Sequence, residues 1–195
     1  MDGLELSDEQ LCQRVAARVP GAFDALVERY QARAYRIAWS VLRDREDARD
    51  CSQEAFLKLH DGAGSFAGQA RFSTWFYRIL VNCCLDHKRR GRGWLKLVRP
   101  AAEGRDGEGA AGGLEQLAGP AEDPADRLEA EGRLARVWAA VGDLSPQQRA
   151  VVMLQCREGL ATGEIAAILD LSEATVRVHL HRALGTLRKR LGSAT

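Results

Sequence analysis

At 195 residues and 46% apolar content, the chain is long enough to bury one medium-sized core or two small ones. Its formal net charge of +1 conceals a segregation. Lys88, Arg89, Arg90, Arg92, Lys96 and Arg99 crowd one stretch and Arg177, Arg182, Arg188, Lys189 and Arg190 another, while between Pro100 and Asp126 seven acids face Arg105 alone, a pattern that suits nucleic acid at two places. The five cysteines, Cys12, Cys51, Cys83, Cys84 and Cys156, show neither CxxC pairing nor metal-ligand spacing, which disfavours a disulfide or zinc framework and leaves buried thiols in a reducing compartment as the expectation. The acidic start MDGLELSDEQ is unlike a signal peptide, and no run is long and apolar enough to span a membrane, so a soluble cytoplasmic protein without membrane insertion is expected.

Strand signals are scarce, and helical periods dominate the chain outside one connector, which predicts an all-α fold. Ser7 is placed to cap a first helix carrying Leu11, Val15 and Val19, which Pro20-Gly21 interrupts. A second, longer pattern runs from about Ala22 to Leu42, with Phe23, Leu26, Val27, Tyr30, Ile37 and Val41 facing inward. The acids of Asp44 to Asp47 favour the start of a third helix whose inner positions are Ala48, Cys51, Ala55, Phe56 and Leu59. After a glycine-rich loop, a fourth helix begins at or just before Ser73 and extends to about Arg90. It has two populated faces: Phe72, Phe76, Ile79 and Cys83 form an apolar stripe, and Arg78, Asn82, Asp86 and Arg89 a polar row.

Beyond Gly91 a short apolar-basic tail, WLKLVR, gives way near Pro100 to Gly, Ala, Pro and acids with few large apolar side chains as far as Asp126, too little to bury for independent order, so a flexible acidic linker is expected over residues 93–126. Helical pattern resumes with Leu128, Leu134, Val137, Trp138 and Val141. Ser145-Pro146-Gln147-Gln148 then unites a cap, a proline at the first helical position and a glutamine three residues after the cap. The helix it starts ends near Gly159.

The stretch from Glu164 to Arg190 reads as a helix-turn-helix. Ile165, Ala166 and Leu169 give the first helix an apolar face, Asp170-Leu171-Ser172 breaks the period, and Ser172 is placed to cap a second helix whose first turn holds Glu173. On that second helix Val176, Leu180, Ala183, Leu184 and Leu187 fall on one arc, leaving Ala174, Arg177, Val178, His181, Arg182 and Gly185 on the other. Small residues among donors suit a helix that enters a major groove while Arg and His reach base edges or phosphates.

Taken in order, AFDALVERYQARAYRIAWSVLRDREDARDCSQEAFLKLH, RFSTWFYRILVNCCLDHKRR, LSPQQRAVVMLQCREGL and EIAAILDLSEATVRVHLHRALGTLRKRL resemble the bacterial RNA polymerase sigma factors of the extracytoplasmic-function group. The resemblance implies two small helical domains, sigma-2 and sigma-4, the latter carrying the helix-turn-helix. The expected divisions are an N-terminal helix in residues 1–20, sigma-2 in 21–92, the linker in 93–126 and sigma-4 in 127–195. It further implies a dissociable specificity subunit that binds core RNA polymerase and promoter DNA, with no enzymatic activity, no cofactor and no metal site. Asp50, Gln53 and Glu54 match the segment that docks on polymerase, where acidic and amide groups suit arginines across an interface.

Asn82, Asp86, Lys88, Arg89 and Arg90, with the loop from Asp61 to Arg71, match the element that reads and opens the downstream promoter hexamer. Extrusion of a base costs a few kcal/mol, offset when the base finds a pocket and the strand finds positive charge. Phe66, in the glycine-rich loop, is the aromatic expected to be free for stacking, whereas Phe72 and Trp75 are expected in the core. In the upstream reader, Arg177, Val178, His181 and Arg182 are expected at base edges, with Ser172, Glu173 and Thr175 near the backbone.

The chain departs from the commoner family pattern at Asp170, where a glycine often takes the left-handed turn, and at Ala161, where a Ser or Thr cap is usual and Thr162 is an alternative. Sigma factors of this group are commonly held by an anti-sigma factor, which the resemblance implies here as well. A repressor or activator using the same helix-turn-helix would leave the docking segment and the Asn82 to Arg90 row unexplained. An enzyme would need a phosphate loop, a carboxylate-histidine constellation or a nucleophile elbow, none of which the sequence offers.

Overall fold

The computed structural model describes residues 6–98 and 135–192, which are helical with short connections and contain no strand. The linker residues from 99 onward, together with Leu128 and Leu134, lie outside the described residues. In chain order the helices are α1 (Asp8–Ala16), α2 (Ala22–Leu42), α3 (Arg45–Gly62), α4 (Phe72–Val98), α5 (135–142), α6 (Pro146–Cys156), α7 (Thr162–Leu169) and α8 (Glu173–Gly192), with one 3-10 turn at Ala63–Ser65.

Local chemistry sets most of these limits. The α1 and α6 starts carry reciprocal capping boxes, Ser7 with Gln10 and Ser145 with Gln148, and Asp44 accepts from the N–H groups of Glu46 and Asp47 at the α3 start. Helix α4 runs on to Val98, beyond the end expected near Arg90 and through the apolar-basic tail that the expected division placed in the linker. The glycines at 91 and 93 each cost about 1 kcal/mol in a helix interior, but their neighbours are strong helix formers and the net penalty is too small to stop the helix.

Helices α1 to α4 share one core. Leu26, Tyr30, Ile37, Val41, Cys51, Phe56, Leu59, Phe72 and Phe76 are buried, with Tyr30 edge-on to both Phe72 and Phe76 at 5.2 and 5.6 Å. Phe23 and Val27, expected inside, are only partly buried at the margin of this core, and Phe23 meets His60 edge-on instead.

The second half packs directly against the first: α6 lies on α2, and α7 on α4. Trp138 of α5 meets Trp39 of α2 edge-on at 4.7 Å, and the Arg43 guanidinium lies over both rings at 5.1 and 5.8 Å. The Tyr77 hydroxyl on α4 donates to Glu158 Oε2 at 2.7 Å. With α7 packed on it, α4 is buried over more than the stripe its sequence suggests. Phe72, Phe76, Leu80 and Cys83 fill the four-helix core, while Thr74, Tyr77, Val81 and Leu85 form a second buried face at helical spacing. Between the two lies the exposed edge with Arg78, Asn82 and Arg89.

Candidate nucleic-acid and polymerase interfaces

Helix α4 presents its polar row without help from neighbouring elements. Asn82 and Arg90 are exposed, and Asp86 accepts from Arg89 Nη1 at 3.1 Å, so the carboxylate orients a guanidinium that remains largely solvent-facing. Lys88 is half-buried. Beside the row, His87 Nε2 lies 3.0 Å from Asp47 Oδ1 of α3.

The loop before α4 differs from expectation. Phe66 is half-buried, packed against Trp75 at 5.3 Å and edge-on to Phe72 at 6.1 Å, and Trp75 is itself only partly buried. Phe66 is therefore not a free ring: it and Trp75 form one partly buried two-ring surface. The local sequence could not distinguish them, because the partition depends on which side of α4 the loop folds back upon.

On α3, Asp50 and Gln53 are exposed and Glu54 is half-buried. Lys58 Nζ lies 2.7 Å from Glu54 Oε1, and this hydrogen bond holds the Glu54 carboxyl below its ordinary range. Leu57, on the same outward side, is 64% exposed. Sequence reasoning missed it because an isolated leucine beside Phe56 and Leu59 reads as core.

The helix-turn-helix forms from α7 and α8. Asp170 occupies the left-handed conformation at φ 54°, ψ 49°, as the turn requires, and the Leu171 N–H returns to Ala166 O at 3.0 Å. Ala161, not Thr162, is the N-cap of α7. It has no side-chain acceptor, and its own N–H is satisfied by Glu164 Oε2 at 2.9 Å. Gly163, in the first turn of α7, sits against Glu173, whose Oε1 would lie 3.3 Å from a Cβ added there.

At the α8 start Ser172 Oγ accepts from the Thr175 N–H at 3.1 Å and contacts Thr175 Oγ1 at 2.8 Å. Glu173 Oε2 receives Arg177 Nη2 at 3.0 Å, so two expected backbone- and base-contacting residues restrain each other. Val178, His181 and Arg182 are exposed, Val178 to 46%. Val176 and Ala183 are buried and Leu180 and Leu187 partly so, but Leu184, placed on the packing arc, is 39% exposed. The arc is narrower than the periodicity suggested because α6 and α7 cover α8 chiefly along the Val176–Ala183 line.

All five cysteines are free thiols. Cys12, Cys51, Cys83 and Cys84 are buried as expected and Cys156, at the end of α6, is exposed. Among the described residues no three His, Cys, Asp or Glu side chains gather as a metal site would require, and no helix is long and apolar enough to cross a membrane.

Comparison with known proteins decides what these two exposed helix faces belong to. The family model for sigma-70 region 2 matches residues 26–94 and that for sigma-70 region 4 matches residues 134–187. The chain is 34% identical over 194 residues to the ECF RNA polymerase sigma factor SigM of Mycobacterium tuberculosis, covering 96% of this chain and 86% of that protein. This chain is a sigma factor of the extracytoplasmic-function family. It is also 32% identical over 182 residues to the ECF RNA polymerase sigma-E factor of Escherichia coli K12, covering 92% and 91% of the two chains.

Two solved structures share the fold of this sigma factor. CnrH, in complex with the cytosolic domain of CnrY, superposes with a TM-score of 0.64 at 24% identity, covering 96% of this chain and 99% of that one. The sigma factor RpoE of Bartonella quintana, in complex with the anti-sigma factor NepR, superposes with a TM-score of 0.66 at 21% identity over 89% and 98%. The family is one of transcription initiation factors.

Proposed function

We propose that the chain binds core RNA polymerase in the cytoplasm and directs promoter-specific initiation, docking through α3, reading and opening the downstream hexamer with α4, and reading the upstream element with α8. Two separate donor-bearing rows carry this reading: Asn82, Asp86, Arg89 and Arg90 on one helix and Arg177, Val178, His181 and Arg182 on another lie at the surface. The Asp86–Arg89 pair pre-orients a cation for the strand, and the Glu173–Arg177 pair does the same at the recognition helix. On α3, Asp50, Gln53 and Glu54 would meet cationic partners on polymerase, with Leu57 as an apolar anchor in their midst.

Residues 21–92 and 127–195 would be the two functional domains, and the acidic linker would thread a channel that polymerase lines with cations for nucleic acid. The packing of the two halves suits a resting form held by an anti-sigma factor, the kind of partner present in the RpoE complex. Run-off transcription with purified core polymerase on a promoter library tests the whole reading. Specific transcripts that depend on the chain are expected, and failure to bind core polymerase in the absence of any inhibitor overturns it.

A further inference from the structure

The family model for region 2 begins at residue 26, which leaves α1 without an assigned role. Its position is nevertheless strongly determined. Asp8 receives Arg29 Nη1 at 2.8 Å and the Tyr30 hydroxyl at 2.5 Å, and Arg29 Nη1 also donates to Leu6 O at 2.8 Å. Leu11, Cys12 and Val15 are buried in the four-helix core. These contacts fix α1 on α2 at the residue preceding Glu9.

Glu9 then reaches across 63 positions of sequence to α4, where its Oε1 accepts from the Phe72 N–H at 3.0 Å. Phe72 is the first residue of α4, and the residue before it is Arg71, which has no acceptor in its side chain. The α4 start therefore receives from another helix the side-chain cap that α1, α3 and α6 take from their own preceding residues, Ser7, Asp44 and Ser145. The hydrogen bond holds the Glu9 carboxyl below its ordinary range, so it is an anion at the positive end of α4 at neutral pH. Helix α1 also packs against the 3-10 turn Ala63–Ser65 at the other end of the same loop. Both ends of the loop between Asp61 and Arg71 thus rest on α1.

We infer that Glu9 is a positioning residue for promoter opening, which caps α4 so that the loop and the Phe66–Trp75 rings are held ready to receive an extruded base. The inference rests on the proposed reading of α4 and its loop as the downstream element. Without the cap, the first turn of α4 frays and the loop loses its C-terminal anchor. Opening of duplex DNA suffers most, because there the pocket must offset unstacking. A template with the downstream element already unpaired makes a smaller demand.

The test uses the full chain with core polymerase and a promoter on which the wild-type holoenzyme initiates. Open complexes are measured by permanganate reactivity on duplex DNA and on the same sequence with an unpaired bubble, alongside affinity for core polymerase. Glu9→Ala is expected to lower duplex opening about five-fold, equivalent to about 1 kcal/mol, with less effect on the bubble template and none on core affinity. Glu9→Gln keeps the acceptor oxygen and is expected to stay within about two-fold of wild type, since most of the cap's effect is the hydrogen bond. Unchanged opening by Glu9→Ala, equal loss in Glu9→Gln, equal loss on both templates, or a parallel loss of core affinity overturns the inference. Asn82→Ala separates the two levels: if it impairs opening while Glu9→Ala does not, only the positioning role fails, and if neither does, the reading of α4 itself fails.

Discussion

Replacing Trp138 by alanine should part the two halves of the protein. A tryptophan buries about 150–250 Å², worth about 4–6 kcal/mol at 25 cal/mol per Å². Part of this ring is buried within its own half, so about half of that figure belongs to the contact. The edge-on Trp39 ring at 4.7 Å and the Arg43 guanidinium at 5.8 Å each add about 1 kcal/mol. The indole N–H is buried without an acceptor, which subtracts about 1–2 kcal/mol. The net is about 3 kcal/mol, or a little over a hundred-fold in the balance between packed and parted forms. Small-angle scattering of the free chain should show a larger radius of gyration for Trp138→Ala, and binding to core polymerase should be faster because fewer molecules must first open. Trp39→Ala removes the other ring of the pair and should open the protein from the opposite side. Scattering profiles identical to wild type for both variants, with helical content intact, would refute the argument that this pair holds the halves together.

At the recognition helix, Arg177→Ala and Arg182→Ala should each weaken binding to the upstream element by about 1–3 kcal/mol, measured by fluorescence anisotropy, and relax sequence preference at the contacted position. Asp170→Gly should raise the thermal midpoint by an amount equivalent to about 1 kcal/mol at most, because relief of the left-handed conformation at φ 54° is partly offset by glycine's entropy. Acid titration should reveal Glu9 and Glu54, whose pKa values are lowered by the Phe72 N–H and by Lys58 respectively. A lowered carboxyl stabilises the fold above its unfolded value and loses that contribution as pH falls through the folded one, so Glu9→Gln and Glu54→Gln should flatten the loss of stability below the ordinary glutamate value of 4.5. Under native conditions a thiol reagent should modify Cys156 quickly and spare Cys12, whose pKa burial pushes up to about 11. Rapid reaction of all five would contradict the packing described.

Sequence alone determined the helical pattern and most of the helix starts, because caps and breaks are mostly local. Ser7, Asp44, Ser145 and Ser172 each satisfy N–H groups two or three residues ahead, and Asp170 tolerates the left-handed turn within its own backbone. The polar row of α4 and the donor face of α8 were legible for the same reason, since residues three and four apart share a helix face whatever surrounds it.

Only the tertiary structure decided what depends on contact between distant segments. Periodicity cannot reveal that α4 has a second buried face under Tyr77, Val81 and Leu85, because that face exists through the packing of the second half. Nor can it place Phe66 against Trp75, leave Leu57 and Leu184 exposed, or bring Glu9 to the start of α4 across 63 residues. Burial and long-range capping are properties of the neighbours that a folded chain brings together. One helix period reports which residues share a side, and tertiary packing determines which sides are covered.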